Sequence, residues 1–458
     1  MWETIFDKML SRLVRDGELS VTYPDGKTRS YGSGGSYAAA VRIKDTDTLR
    51  KLCTAPDLGL GEAYMDERLT VENDDIEGLI SLILSNSYHD VMPFWVRAMD
   101  RARFRLGNWI TRNTPQMAQA NVAHHYDISD DLYRLFLDED MQYSCAYFYD
   151  PDISLEEAQI AKKAHIANKL QIEPGMRVLD IGCGWGGMAL TLARDYGAKV
   201  TGVTLSENQL ARAKMRAEEQ GLSDLIDFRL QDYRLLDEPF DRIVSVGMLE
   251  HVGLPQYSVY FDKVSDLLAR DGVALIHTIG RTGPPMAESK WMTRYIFPGG
   301  YVPSLSELAP AIENSGLWNL DLEVWRLHYA YTLRHWLRRF DANIEQVKKM
   351  YDARFIRMWR YYLTICFLSF ELNRQAVRAW RMRFRGTLEE IAVRYPPKEN
   401  IDLDALADMV STILEGGIVM SKALSEPKVL SQQVLLFRNM MRAMFLPDAQ
   451  LSNAAVGA

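Results

Sequence analysis

The residues best suited to chemistry form a glycine-rich run, Asp180-Ile-Gly-Cys-Gly-Trp-Gly-Gly. It closes the apolar stretch Arg177-Val-Leu-Asp-Ile and precedes a helical pattern over 188–194. Glycines let the backbone approach a ligand closely, and the N-terminus of the following helix favours a negative group. A dinucleotide fold would keep an acid at the end of its second strand for the ribose. The second strand here, Lys199-Val-Thr-Gly-Val-Thr, has none at its end. The pattern argues against NAD and for S-adenosyl-L-methionine, whose carboxylate sits near such a turn and whose sulfonium needs no phosphate cradle. A glycine turn with a purely structural purpose is the alternative.

Two further stretches mix cations with aromatic rings. Phe94, Trp95, Phe104, Leu106 and Trp109 are interleaved with Arg97, Arg101, Arg103, Arg105 and Arg112, against one acid, Asp100. That is either a solvated linker helix or an interfacial helix that meets anionic phosphates. Residues 334–385 read as helical and hold 13 Lys or Arg against four acids, a local excess of +9. Trp336, Phe340, Tyr351, Phe355, Trp359, Tyr361 and Tyr362 lie among those cations.

These residues need elements to position them. Strand patterns at Arg177–Ile181, Lys199–Thr204, Ile226–Leu230, Asp241–Val246 and Val273–His277 alternate with helical ones. That order predicts an α/β fold with a doubly wound, Rossmann-like parallel sheet and a ligand at the strands' carboxyl ends. Before it, an amphipathic helix over 2–14, short strands near 19–23 and 39–43, and a helix over 75–85 predict a small α+β module. Leu403 to Phe445 reads as helical.

Composition limits the function classes. With 458 residues, 47% hydrophobic and 25% charged, the chain is globular and long enough for two or three domains. Its net charge of −8 excludes a globally basic nucleic-acid binder. The four cysteines are too few and scattered for a disulfide framework, which suits a reducing cytosol, and no CxxC pair suggests a metal. No apolar run is long enough to span a bilayer. The acids near Met1 stand where a signal peptide would be basic, so none is expected. Ten Trp, 22 Tyr, 16 Phe and 21 Met are an unusual stock for a mildly acidic enzyme.

A series of motifs occurs in one order. His125-Tyr-Asp-Ile-Ser-Asp-Asp-Leu-Tyr, Met141-Gln-Tyr-Ser-Cys-Ala-Tyr, the glycine run, Gly202-Val-Thr-Leu-Ser and Gly247-Met-Leu-Glu-His-Val-Gly come first. His277-Thr-Ile-Gly, Tyr295-Ile-Phe-Pro-Gly-Gly and His328-Tyr-Ala-Tyr-Thr-Leu follow. From about residue 120 to 375, and more weakly before it, the chain resembles the cyclopropane-fatty-acyl-phospholipid synthase family, including the related mycolic acid cyclopropane synthases. The resemblance implies methyl transfer from S-adenosyl-L-methionine to a cis double bond of a phospholipid acyl chain, then proton loss and ring closure. It implies that Tyr126, Tyr143 and Phe297 face the sulfonium and the carbocation, whose charge aromatic rings stabilise without reacting. For the cofactor it implies Tyr143, Ser144, Gly182, Gly184, Thr204, Gln209 and Tyr233, with Asp180 orienting the turn. For the proton acceptor it implies a bound bicarbonate held by Cys145, Glu250, His277, the backbone at Ile279, and Tyr329.

Some residues keep two readings. His277 can be a satisfied core histidine, Cys145 an inert buried thiol, and His251 a loop-stabilising or a catalytic group. The resulting organisation is a lipid-docking or scaffold domain over 1–90, a basic aromatic linker over 91–120, a methyltransferase domain over 121–385 and a helical extension over 386–458. Part of the extension loosely resembles the dimerisation helices of TetR-type regulators, and it either packs on the body or mediates a homodimer. The expected partner is an anionic phospholipid bilayer, met peripherally at the inner face of a bacterial membrane, with no nucleic acid. A methyl- or methylene-branched product, or a non-catalytic lipid-binding protein on the same fold, are the competing functions.

Overall fold

The computed structural model describes residues 1–35, 37–86, 129–281, 283–398, 401–410, 413 and 428–446, the side chains of 372–383 and 430 excepted. Tyr126, the linker over 91–120 and, within the TetR-like stretch over 388–445, residues 399–400, 411–412 and 414–427 lie outside the described residues. The chain divides into two compact units, Met1–Phe370 and Glu371–Ala458.

The first unit opens on helix α1 (Trp2–Leu13) and a four-stranded sheet of β1 (Gly17–Thr22), β2 (Thr28–Gly34), β3 (Ala38–Ile43) and β4 (Leu69–Val71), in the order β2-β1-β3-β4. Strands β1 and β3 pair in parallel, so the module is more than a hairpin. Helices α2 (Thr46–Thr54) and α3 (Pro56–Met65) cross between β3 and β4, and α4 (Ile76–Asn86) follows. Neither α2 nor α3 is signalled by a long apolar stripe. Asp45 caps α2 by accepting from Thr48 N at 2.9 Å, and Pro56 opens α3 with its φ already set.

After α5 (Asp130–Phe136) and α6 (Leu155–Leu170) comes the expected alternation: β5 (Arg177–Ile181), α7 (Gly187–Tyr196), β6 (Lys199–Thr204), α8 (Glu207–Glu219), β7 (Ile226–Leu230), β8 (Phe240–Val246), α9 (Tyr257–Leu267) and β9 (Leu268–His277). The sheet order is β7-β6-β5-β8-β9, all pairs parallel. Strand β5 is buried from Val178 to Ile181, so residues on both of its faces are covered. The chain runs outward from β5 through β6 to β7 and then returns to β8 on the other side of β5, and the crevice this reversal leaves at the carboxyl ends of β5 and β8 is where such sheets take ligands.

Helices α10 (Lys290–Tyr295), α11 (Leu305–Asn314), α12 (His328–Ala342) and α13 (Ile344–Met350) follow the sheet in the first unit, α14 (Ala353–Arg394) runs on into the second, and α15 (Lys428–Phe445) belongs to the second. In the second unit, Leu388, Leu406, Ala407 and Phe445 form a small core, and Arg385 pairs with Asp404 at 2.9 Å.

The basic, aromatic stretch 334–385 departs from its expected role at a surface. Trp336, Phe340, Trp359, Tyr361 and Tyr362 are buried, in one core that also holds Tyr64 and Met65 of the N-terminal module. Several of its described cations are answered by acids of the same unit. Arg354 pairs with Asp66 at 2.7 Å, Arg357 with Glu67 at 2.8 Å, Arg360 with Asp74 at 2.9 Å and Arg339 with Glu156 at 2.6 Å. Each such exposed pair contributes roughly 0–1 kcal/mol, so they set register more than stability. These buried aromatics belong to a core that joins the N-terminal module to helices α5, α10, α12 and α14.

Gly61 marks how close that join is. A β-carbon there would run into the ring of Trp291, which is buried, donates Nε1–H to Met65 Sδ at 3.2 Å and stands 4.6 Å from the ring of Tyr361. Gly61→Ala is expected to destabilise the folded chain by about 1–3 kcal/mol through overpacking, read as a lowered midpoint in thermal unfolding followed by near-ultraviolet circular dichroism.

Candidate active site

A cleft with about 990 Å³ of empty space, part of it open solvent, lies at the carboxyl ends of β5, β6 and β8. All seven residues expected at a cofactor line it: Tyr143, Ser144, Gly182, Gly184, Thr204, Gln209 and Tyr233.

The glycine turn forms its floor. Gly182 has φ +79 and Gly184 φ +55, and the amides of Gly182 and Cys183 both donate to Val203 O, at 2.9 and 3.0 Å. A β-carbon at Gly182 would sit 2.9 Å from Met248 Cγ as well as in a strained backbone conformation. Asp180 is buried at the end of β5 and lines the cleft. Ala189 N binds its carboxylate, which orients the turn, while Oδ2 is buried without a partner among the described residues. Burial pushes that carboxyl up to about 7. On the β6 side, Thr204 Oγ1 donates to Gln209 Oε1 at 3.0 Å, and Ser206 caps α8 beneath them. Tyr233 packs its buried ring 5.4 Å from that of Tyr260.

Tyr143 and Ser144 come from an irregular segment, 137–154, whose residues 141–144 line the cleft. Tyr143 stacks on Trp336 at 5.1 Å, and its hydroxyl meets that of Tyr362 at 2.8 Å. Phe297 stands 5.8 Å from Tyr362 and 6.1 Å from His251, which also lines the cleft. Tyr362 therefore joins two of the residues expected around a cation.

The residues expected to hold a base do not line the cleft; they stand just behind it. Ser144 and His251, the chain neighbours of Cys145 and Glu250, are in the lining. Glu250 Oε1 accepts from Ile279 N at 2.7 Å, so these two are brought together as expected. Glu250 Oε2 and His277 Nδ1 are buried atoms without a hydrogen-bond partner among the described residues. Loss of water raises the Glu250 carboxyl above its ordinary range, and it pushes the His277 imidazole down to about 3 and that of His251 down to about 4. Both histidines are thus neutral at physiological pH. His277 is no plain core histidine: its ring lies 4.7 Å from that of Trp325 while its Nδ1 is unsatisfied. Tyr329 opens α12, with its ring 4.9 Å from Phe370 and 6.0 Å from Trp336.

Several residues at the site carried no signal in the sequence. Lys162 and Gln159 on α6 are fully buried under the 137–154 segment and bind it from below. The nearest signal was the helical spacing of two polar groups three residues apart, which an exposed face shares. Asp232 and Met248 also line the cleft.

Residues 113–380 match the family described as mycolic acid cyclopropane synthetase, and residues 5–92 match a domain family of unknown function. The cyclopropane-fatty-acyl-phospholipid synthase of Escherichia coli strain K12 is 38% identical over 358 residues, 78% of this chain and 90% of that one. Cyclopropane mycolic acid synthase 3 of Mycobacterium tuberculosis is 38% identical over 261 residues, 54% of this chain and 90% of that one. Among solved structures, the cyclopropane synthase MmaA2 from Mycobacterium tuberculosis aligns with a TM-score of 0.53 at 34% identity, covering 56% of this chain and 94% of that one. A mycolic acid cyclopropane synthase complexed with SAH and CTAB aligns with the same TM-score of 0.53 at 36% identity, covering 56% of this chain and 94% of that one.

Cys145 is buried, and desolvation pushes its thiol up to about 12. A thiol that stays protonated is a poor nucleophile. Iodoacetamide at about pH 8 is expected to leave Cys145 unlabelled in the native protein and to label it in denaturant, as peptide mass spectrometry would read. Rapid native labelling would restore the case for a reactive cysteine.

Proposed function

The chain belongs to the mycolic acid cyclopropane synthetase family, and on that premise we propose the reaction it performs. It transfers the methylene carbon of S-adenosyl-L-methionine to the cis double bond of an unsaturated phospholipid acyl chain, closing a cyclopropane ring as a proton is lost. The observation that carries this reading is continuity. The cleft lined by the cofactor set shares Tyr143 with an aromatic cluster of Trp336, Tyr362 and Phe297.

The residues fit the cofactor. The glycine turn admits a ligand where a side chain would collide, and Asp180 Oδ2 offers a buried acceptor with no partner among the described residues. Bound there, S-adenosyl-L-methionine supplies an electrophilic methyl group on a positively charged sulfur. An alkene is a weak nucleophile, so the protein's task is to place it accurately in a dry, apolar pocket. The rings of Tyr143 and Phe297 present π faces that favour positive charge.

A small oxyanion such as bicarbonate also fits the groups behind the cleft. His277 Nδ1 and Glu250 Oε2 are buried and unpartnered, and the raised Glu250 carboxyl and the Cys145 thiol keep protons to donate. When bound, bicarbonate would supply the base for the proton lost on ring closure. Tyr329 belongs to the same proposal, as does Tyr126, which lies outside the described residues.

We further propose that the enzyme reaches its substrate peripherally, at the inner, cytoplasmic face of the membrane. No helix among the described residues is long and apolar enough to cross a bilayer. With the aromatics of 334–370 placed in the core, residues 94–112 are the remaining candidate for that contact.

Purified protein incubated with labelled S-adenosyl-L-methionine and vesicles of monounsaturated phospholipid is expected to yield cyclopropane fatty acids by gas chromatography–mass spectrometry. A branched chain would redirect the product, and no label in lipid would overturn the reading. Glu250→Gln is expected to lower turnover by a factor of at least ~100, on the scale of lost proton-transfer assistance. Its affinity for S-adenosylhomocysteine should change less than about twofold; equal loss of both would reassign Glu250.

A further inference from the structure

Lys162 is a fully buried charged group near the site to which the reaction assigns no part. Its side chain on α6 is fully buried, and Nζ donates to Gln142 Oε1 at 2.6 Å and to Ser144 Oγ at 2.8 Å. Both acceptors line the cleft. One turn earlier on the same helix face, Gln159 Nε2 donates to Gln142 O and Ser144 O, at 3.2 and 3.0 Å. The next residue, Lys163, pairs with Asp140 at 2.5 Å, and Gln142 Nε2 donates to the same carboxylate at 3.0 Å. The segment that brings Ser144 to the cleft is therefore held by one side of α6.

The direction of the Ser144 hydroxyl follows from this. A serine oxygen has one proton to donate and two lone pairs to accept with. Lys162 can only donate, so it occupies a lone pair and leaves the hydroxyl proton to point elsewhere. Burying an ammonium costs several kcal/mol unless something negative or strongly polar answers it. Here the direct partners are a neutral amide and a neutral hydroxyl.

We propose that Lys162 is a positioning residue for the methyl donor: it fixes Gln142 and Ser144 from below and aims the Ser144 hydroxyl proton into the cleft, where it meets the carboxylate of the donor's amino-acid moiety. This rests on reading the cleft as the S-adenosyl-L-methionine site. A carboxylate bound one residue away from a buried cation is favoured by the low local dielectric, so part of the donor's affinity depends on the lysine being charged.

Burial pushes Lys162 down to about 8, against the opposing pull of Asp138 and Asp140. Lys163 opposes its charge, Cys145 favours it, and Lys162 in turn acts on Asp180 and His277. The sign is then set. Lys162 is charged below about 8 and loses its proton above it, so binding of a carboxylate-bearing ligand weakens as pH rises through that value and is coupled to proton uptake there.

The test uses two nucleosides, S-adenosylhomocysteine, which keeps the amino-acid moiety, and 5′-methylthioadenosine, which lacks it. Isothermal titration of the full chain between about pH 6.5 and 9.5 would compare wild type, Lys162→Met and Ser144→Ala. Wild type is expected to lose affinity for S-adenosylhomocysteine through about pH 8. Lys162→Met should bind it about tenfold or more weakly at neutral pH, the scale of a charged hydrogen bond, with that part of the pH dependence gone. Its affinity for 5′-methylthioadenosine should stay within about twofold, which a merely structural lysine would not allow. Wild-type affinity in Lys162→Met, or equal loss of both nucleosides, overturns the proposal. If Lys162→Met does not fold, Ser144→Ala decides: wild-type affinity and an unchanged pH profile overturn it. Binding of neither nucleoside by wild type would instead sink the cofactor reading itself.

Discussion

The site depends on keeping an irregular, buried segment satisfied. Residues 137–154 have no regular secondary structure, yet Cys145, Ala146 and Phe148 are buried. Backbone amides and carbonyls in such a place must find partners or cost the fold dearly. They find them in side chains from two helices and in one helix carbonyl. Gln159 serves the carbonyls of Gln142 and Ser144, Thr332 Oγ1 accepts from Ala146 N at 3.0 Å, and His328 Nδ1 accepts from Phe148 N at 2.9 Å. The amide of Tyr147 donates to Ala158 O at 3.0 Å. At its start, Asp138 accepts from Gln142 N at 2.8 Å. This segment divides the cleft from the aromatic cluster, so its exact path decides how the two communicate.

The electrostatics follow from dryness. Glu250 is pushed toward its neutral form, His277 and His251 are neutral imidazoles, and Cys145 is a thiol. A site with few fixed charges suits a reaction whose reactant and product chains are apolar and whose charge is carried by sulfur and carbon. Full carboxylates beside a carbocation would risk capturing it, whereas aromatic faces hold it without forming a bond. The large aromatic stock thus serves two purposes, a core that ties the N-terminal module to helices α5, α10, α12 and α14, and a pocket wall.

Much of the fold was legible because its signals are local. Each strand of the parallel sheet is a short apolar run bounded by turns, and β5, β6 and β7 have the expected bounds. Strand β9 begins at Leu268, ahead of the expected start, because Leu268 already pairs with Phe240 before Arg270-Asp-Gly, which reads as a turn, interrupts the register ahead of Val273. Helices α2 and α3 were missed because capping and a following strand define them more than an apolar stripe does. The cofactor set was legible through motifs, since Gly182, Thr204 and Tyr233 each close a strand or follow one.

By itself the sequence determined the βαβ order, the glycine turn, the family and the residue types available for chemistry. These rest on spacing within a few residues, or on motif order along the chain. Tertiary structure alone decided where the aromatic rings and charges of 334–370 go. Arg360 meets Asp74 across 286 residues, and Tyr143 meets Tyr362 across 219. A cation that reads as a surface charge in its own helix becomes half of a pair, and a ring that reads as amphipathic becomes core. Lys162 shows the same limit. Helical periodicity can say that it shares a face with Gln159, but only packing says that this face is covered. The physical reason is that burial is a property of two surfaces, and one stretch of chain records only its own.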